Sequence, residues 1–195
     1  MKVVMIRHGK TPGNLVKQYI GRTDQPLAEE GIDELKRIAS SEEFKQALRP
    51  EKVEQIYVTP LKRTQETAEI LFPCAKQTVI NDLREMDFGI FEEKNYKDLE
   101  NSKEYAAWLE THCESKVPDG EDKASFSKRS CDAFLDCLKE CGDRPVYFLV
   151  HGGTIMSVME AFAETRQEYY KWYAENGHGY VAEWDGTVLS HIQAV

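Results

Sequence analysis

The stretch VVMIRHGKT, residues 3–11, runs from an apolar segment straight into an arginine, a histidine and a glycine. Val3 to Ile6 are continuously apolar and include two valines, which suits a β-strand covered on both faces better than a surface strand with alternating polarity. Arg7 and His8 then fall at the C-terminal end of that strand, the edge at which open α/β sheets bind ligands. Gly9 is expected to let backbone approach such a ligand closely.

A second run, VYFLVHGG at residues 146–153, ends the same way, with His151 after the last valine. Further strand-like runs occur at Ile56–Val58 and Thr78–Ile80, with long helical patterns between them. This alternation predicts an α/β fold, a three-layer α-β-α sandwich around a mostly parallel central sheet. Helices are predicted from about 28 to 39, with Ile32, Leu35 and Ile38 on one face, and from about 61 to 71, with Thr64, Ala68 and Leu71 on one face. Residues 86–122 are the least regular part and read as a helical insertion or lid, with a helix near 104–109 and a turn at Pro118–Gly120. Tyr180–Trp184 and Thr187–Ile192 flank Asp185–Gly186, which predicts a C-terminal hairpin with a two-residue turn.

The chain has 195 residues, 41% of them hydrophobic, enough for one sizeable core, so a single domain over 1–195 is expected. A formal charge of −9 and no block of basic residues argue against nucleic acid and against an anionic membrane surface as partners. No apolar run approaches the roughly 20 residues of a membrane span and no leader pattern opens the chain, so a cytoplasmic location is expected. The oligomeric state is left open, and Tyr169, Tyr170 and Trp172 are assigned to core packing rather than to an interface. Cys74, Cys113, Cys131, Cys137 and Cys141 are odd in number and lack a CxxC pair, which fits reduced thiols. Cys131, Phe134, Leu138 and Cys141 recur at helical spacing and read as a buried stripe; a metal site from Cys137, Cys141 and His112 lacks a complete ligand set.

If the strands ending at His8 and His151 are neighbours, two histidines meet although far apart in sequence. Arg63, in the first helical turn after the strand at 56–58, would join them with Arg7. Such a group suits phosphoryl transfer, because arginine matches phosphate oxygens and a neutral imidazole can attack phosphorus. A leaving alcohol needs a proton, and Glu85 is the candidate general acid, since like charge from bound phosphate favours its protonated form.

Arg7–His8–Gly9 with Thr11 and Asn14, then GRTDQPLAEEG at 21–31, TPLKRTQETA at 59–68, LREMDFGIFE at 83–92 and VHGGT at 150–154 resemble, in order, the blocks of the histidine phosphatase superfamily. These are the phosphoglycerate-mutase-like proteins. The resemblance implies that His8 is the phosphorylated nucleophile, that Arg7, Arg63 and His151 hold the phosphoryl group, and that Glu85 gives the proton. It implies further phosphate contacts from Asn14, Gly21, Thr23 and the Gly152 backbone, and neither metal nor organic cofactor.

Three positions depart from the family pattern. Lys10 stands where many members carry an acidic residue or glutamine, and is assigned to solvent. Phe91–Glu92–Glu93 replaces Trp-Glu-Gly, which puts the loop conformation beside Glu85 in question. Asp119–Gly120–Glu121 resembles a Gly-Gly-Glu and reads as a turn and helix start.

Residues 93–120 lack the Arg- and Tyr-rich segments of the family's dedicated mutases. The expectation is therefore a histidine acid phosphatase-type phosphomonoesterase, similar to the alpha-ribazole and broad-specificity branch, releasing inorganic phosphate from a small phosphorylated substrate. A cofactor-dependent phosphoglycerate mutase is the alternative, and a non-catalytic phosphate-binding module a lesser one. Specificity is expected from residues 15–25 and 86–120.

Overall fold

A computed structural model describes residues 1–195. In chain order the elements are β1 (Lys2–Arg7), α1 (Pro12–Leu15), α2 (Glu29–Ser40), α3 (Glu42–Leu48), β2 (Gln55–Val58), α4 (Lys62–Leu71), β3 (Lys76–Val79), α5 (Lys103–Glu110), α6 (Lys123–Cys141), β4 (Val146–Val150), α7 (Gly152–Phe162), β5 (Gly179–Trp184) and β6 (Leu189–Ala194), with short 3-10 turns between some of them. The six strands form one sheet in the order β3-β2-β4-β1-β5-β6. β3, β2, β4 and β1 are parallel, and β5 and β6 complete the sheet antiparallel to their neighbours.

Both faces of the sheet are covered, which explains the unbroken apolar runs. Val3 and Met5 pack with Phe148, Val150 and the α6 and α7 residues Phe134, Leu138, Ile155 and Val158. Val4 and Ile6 point to the other side, with Leu149, Leu35, Phe44, Leu71 and Phe72 from α2, α3 and α4. Each such side chain gains about 1.5–3 kcal/mol on burial, so the two clusters fix β1 and β4 side by side. The Cys131–Cys141 stripe lies on α6 with Cys137 and Cys141 buried and all five cysteines free. Residues 86–126 carry a small core of their own, built from Phe91, Leu99, Tyr105, Trp108, Val117 and Phe126.

Three local expectations are corrected. The β5–β6 connection is four residues, 185–188, because the Asp185 carboxylate accepts the Thr187 and Val188 N–H groups and Trp184 pairs with Leu189. β3 starts two residues earlier than expected; it is an edge strand whose residues are half-buried or exposed, so apolar content marks it poorly. Gly9 serves packing rather than ligand approach: a Cβ there would lie 2.6 Å from Leu35 Cδ1 on α2, and its N–H donates to Thr67 Oγ1 at 3.0 Å. Trp172 is in the core and Tyr169 is buried, whereas Tyr170 is exposed.

Candidate active site

The parallel register places Arg7 opposite Val150, so the next residues, His8 and His151, emerge side by side at the C-terminal edge. Their ring centroids are 5.2 Å apart and both side chains are buried. His8 Nδ1 lies 2.7 Å from the Gly9 carbonyl, a contact that requires the proton on Nδ1 and leaves the Nε2 lone pair free. The His8 carbonyl is held by the Asn176 amide at 2.9 Å, which fixes the backbone behind the ring. Burial first, then the Arg63 and Arg7 guanidinium groups, hold the His8 imidazole well below its ordinary pKa.

His151 occupies the N-cap position of α7, and its Nε2 is 3.0 Å from Thr59 Oγ1, which follows β2. In the tautomer in which Thr59 donates to Nε2, the His151 proton is on Nδ1. Burial, followed by the charges of Arg63, His8 and Arg7, also lowers this imidazole.

Arg63 sits in the first turn of α4 and is fully buried; Nη1 donates to the Thr23 carbonyl and Nη2 to the Gly21 carbonyl, both at 2.8 Å. Burial pushes its pKa down to about 10, against the charges of Glu85, Glu92 and Asp24, so it stays cationic at neutral pH. Arg7 donates from Nη1 to the Ala174 carbonyl at 2.9 Å and lies 5.2 Å from the Tyr173 ring centroid.

Six buried side-chain polar atoms lack a partner in the protein, and three of them are Arg7 Nε, Arg63 Nε and His151 Nδ1. Buried polar groups are normally satisfied, so these three unpaired nitrogens beside one histidine pair are open to the oxygens of an anion.

Glu85 approaches from the loop after β3. Its carboxylate accepts the Gly153 N–H at 3.0 Å and the Met86 N–H at 2.9 Å, which sets it at the N-terminus of α7. The backbone that carries it is clamped by Arg129 of α6, which donates to the carbonyls of Asp82, Arg84 and Glu85 and pairs bidentately with Glu121. Burial raises the Glu121 carboxyl, but the hydrogen bonds from Arg129 and the Asp87 N–H outweigh it and hold it below its ordinary value.

A cavity of about 370 Å³ opens beside His8 and Glu85, while the fully buried Arg63 and His151 lie behind its lining. Arg7, His8, Asn14, Glu85 and Gly152 line it, and Tyr19, Phe88, Trp108, Tyr169, Tyr170 and Tyr173 form its walls. Gly21 and Thr23 lie outside the lining; their carbonyls hold Arg63, and the Thr23 hydroxyl is taken up by Glu92 at 2.6 Å. Lys10 is paired with Glu34 at 2.9 Å and does not face the cavity.

Sequence reasoning did not find Glu92, Thr59, Arg129 or Asn176, because each acts on a partner 44 to 168 positions away in the chain or, for Glu92, through a loop 69 to 71 positions back. It did not assemble the six aromatic walls either, which come from separate segments.

A mostly parallel sheet with a histidine pair, two arginines and a carboxylate at its C-terminal edge defines an α/β enzyme of phosphoryl chemistry, either a phosphatase or a mutase. The chain belongs to the histidine phosphatase superfamily (branch 1), whose sequence pattern matches residues 3–190. Among curated relatives it is 31% identical over 179 residues to "Probable phosphoglycerate mutase GpmB" of Enterobacter sp. (strain 638), covering 85% of this chain and 79% of that protein. It is also 31% identical over 148 residues to "Adenosylcobalamin/alpha-ribazole phosphatase" of Salmonella typhimurium, covering 70% of each. The crystal structure of the alpha-ribazole phosphatase from Shigella flexneri superposes with a TM-score of 0.81 at 22% identity, covering 97% of this chain and 93% of that one, a likeness of fold.

Proposed function

We propose that this protein hydrolyses a small phosphomonoester through a phosphohistidine. The three orphaned donors around the free Nε2 of His8 carry this reading. Arg7, Arg63 and His151 would bind the phosphoryl oxygens, with Asn14 and the Gly152 backbone at the rim, while Gly21 and Thr23 hold Arg63 in place. His8 Nε2 then attacks phosphorus as the bond to the alcohol oxygen breaks, and Glu85 transfers a proton to that oxygen. Water attacks the phosphohistidine next; Glu85 takes its proton, the N–P bond breaks, and inorganic phosphate leaves with His8 restored. The lowered pKa of His8 keeps the nucleophile neutral in mildly acidic solution, which supports acid phosphatase-type behaviour.

The named relatives include a mutase as well as a phosphatase. The cavity chemistry favours hydrolysis. Beyond the phosphate end its cation is Lys123, which is shared with Glu160 at 3.4 Å and Glu114 at 3.5 Å and leans on the Tyr169 ring. A phosphoglycerate carboxylate would have to compete with two carboxylates there. The aromatic walls instead suit an alcohol with a flat or apolar body.

The test is to incubate the enzyme with labelled phosphomonoesters, trap an acid-labile phosphoenzyme, and compare phosphate released with phosphate transferred. Labelling should vanish in His8→Ala. Labelling that persists in that variant overturns the nucleophile assignment, and rapid exchange between 2- and 3-phosphoglycerate with little phosphate release overturns hydrolysis in favour of the mutase.

A further inference from the structure

The opposite edge of the sheet carries a second concentration of cations. Lys2 at the start of β1, Arg49 after α3, Lys52 in the following turn, Lys76 at the start of β3 and Arg144 before β4 all line one half-open cleft of about 750 Å³. Within the lining the opposing carboxylate is Glu54 alone. Five cations therefore face one acid in a chain whose formal charge is −9. None of the five takes part in an ion pair; the eight basic residues that do lie elsewhere.

The cleft is partly built. Lys2 Nζ donates to the Ala47 carbonyl at 2.8 Å and Arg144 Nε to the Cys141 carbonyl at 3.2 Å, so two cationic arms are anchored to backbone. Arg49 is set by a left-handed backbone, φ 47°, at the end of α3 with Pro50 behind it. Burial and then the charge of Arg49 lower the Lys2 pKa, as cations gathered without a counter-charge do. The cleft is closed behind the cations by Tyr57, Val146 and Tyr147, which are buried in the sheet cores: Tyr57 stacks on Phe148 with its hydroxyl within 3.2 Å of Cys141 Sγ, and Tyr147 packs on Phe72. Glu140 acts on Tyr57 from α6, so the α6 side of the cleft is the less cationic one.

We propose that this cleft is a second, non-catalytic binding site for an oligophosphate chain. One phosphate would leave most of the five cations unpaired, whereas a chain of several phosphates can meet them together. The volume falls in the range typical of small-molecule sites, roughly 300–1,000 Å³. β1 separates the cleft from His8 by six residues, roughly 20 Å at about 3.3 Å per residue. That exceeds the Debye length of about 8 Å at physiological salt, so the two anion sites fill independently.

The experiment is calorimetric titration with ATP and with tripolyphosphate, both in EDTA, with inorganic phosphate saturating the catalytic edge. R49E/R144E is compared with K36E/R37E, which makes the same change of charge on the exposed face of α2. ATP and tripolyphosphate should both bind, to the wild type and the control alike. R49E/R144E should weaken both about 10- to 100-fold, as expected for two lost charge-assisted contacts, while aryl phosphate turnover stays at the wild-type level. If turnover shows that R49E/R144E does not fold, R49Q/R144Q replaces it with the same direction of effect. Absence of ATP binding, displacement by inorganic phosphate, or equal weakening in the α2 control overturns the proposal.

Discussion

Glu92 is the carboxylate on which the phosphate end of the site depends without touching it. Its Oε1 accepts the N–H groups of Gly21, Arg22 and Phe88 at 3.0–3.1 Å, and its Oε2 accepts those of Gly21 and Thr23 together with the Thr23 hydroxyl. The loop so gathered presents the Gly21 and Thr23 carbonyls to Arg63. Glu92→Gln replaces one oxygen by an NH2: one orientation strands the Thr23 N–H, the other strands Arg22 and Phe88. A stranded donor costs about 1–3 kcal/mol, and the bonds that survive lose their charge assistance, so the loop loses about 2–4 kcal/mol. At about 2–4 °C per kcal/mol for a chain of this size, Tm falls by about 4–16 °C. If Arg63 relaxes with the loop, kcat/KM for an aryl phosphate falls about 10- to 100-fold and the inhibition constant for inorganic phosphate rises in parallel. Thermal denaturation and phosphate inhibition, measured on the same preparation, separate the two effects. Wild-type phosphate inhibition in a destabilised variant would refute the link from Glu92 to Arg63.

Three more outcomes are expected. Glu85→Gln should slow alkyl phosphates about 10²–10⁴-fold while aryl phosphates with good leaving groups lose far less; equal loss on both would remove Glu85 from the proton-donor role. His8 and His151 are held neutral in the folded protein, with pKa values depressed below the unfolded value of about 6.5, so the unfolded chain binds more protons as pH falls through that value. Stability should thus drop below about pH 6.5, by up to about 1.4 kcal/mol per pH unit for each histidine, and a Tm unchanged between pH 7.5 and 5.5 would contradict this. Trp108→Ala should destabilise the fold by about 3–5 kcal/mol because the ring is buried in the lid core, whereas Tyr170→Ala, at an exposed ring on the same cavity, should alter KM for aromatic substrates with little change in Tm.

The sheet edge that carries the candidate site was legible because strand register is carried by local apolar pattern. Runs buried on both faces, at 3–6 and 146–150, announce central parallel strands, and the residues that follow such strands share an edge. The edge strand β3 was misplaced for the converse reason: KQTV, with its residues half-buried or exposed, carries little burial signal. The expectation for Gly9 failed because a glycine after a strand-end histidine is equally consistent with ligand approach and with helix packing, and only the position of Leu35 on α2 decides. The question raised by Phe91–Glu92–Glu93 is answered by the loop itself: Phe91 is fully buried, Glu92 gathers the loop by hydrogen bonds, and Glu93 adopts the left-handed backbone, φ 61°, that a glycine would favour.

The two ends of the cavity are built by different physics, which explains why one was readable and the other was not. At the phosphate end, β1, β2, β4 and the helices after them are fixed by two extended cores, so His8, Arg63 and His151 are held by the same packing that makes the sheet. At the alcohol end, Tyr19 reaches Tyr105 of the lid through a 2.8 Å hydroxyl contact, and Trp108 packs on Phe91 and Phe88. Phe88 and Trp108 belong to or pack on the small core of residues 86–126 and also line the cavity, so a change that reshapes the wall also loosens that core. Freedom to retune specificity is therefore concentrated at the mouth, in Tyr170 and Tyr173, whose rings are more than half exposed. A family built this way can keep one reaction at the strand ends while its substrates diverge through a few residues at the rim.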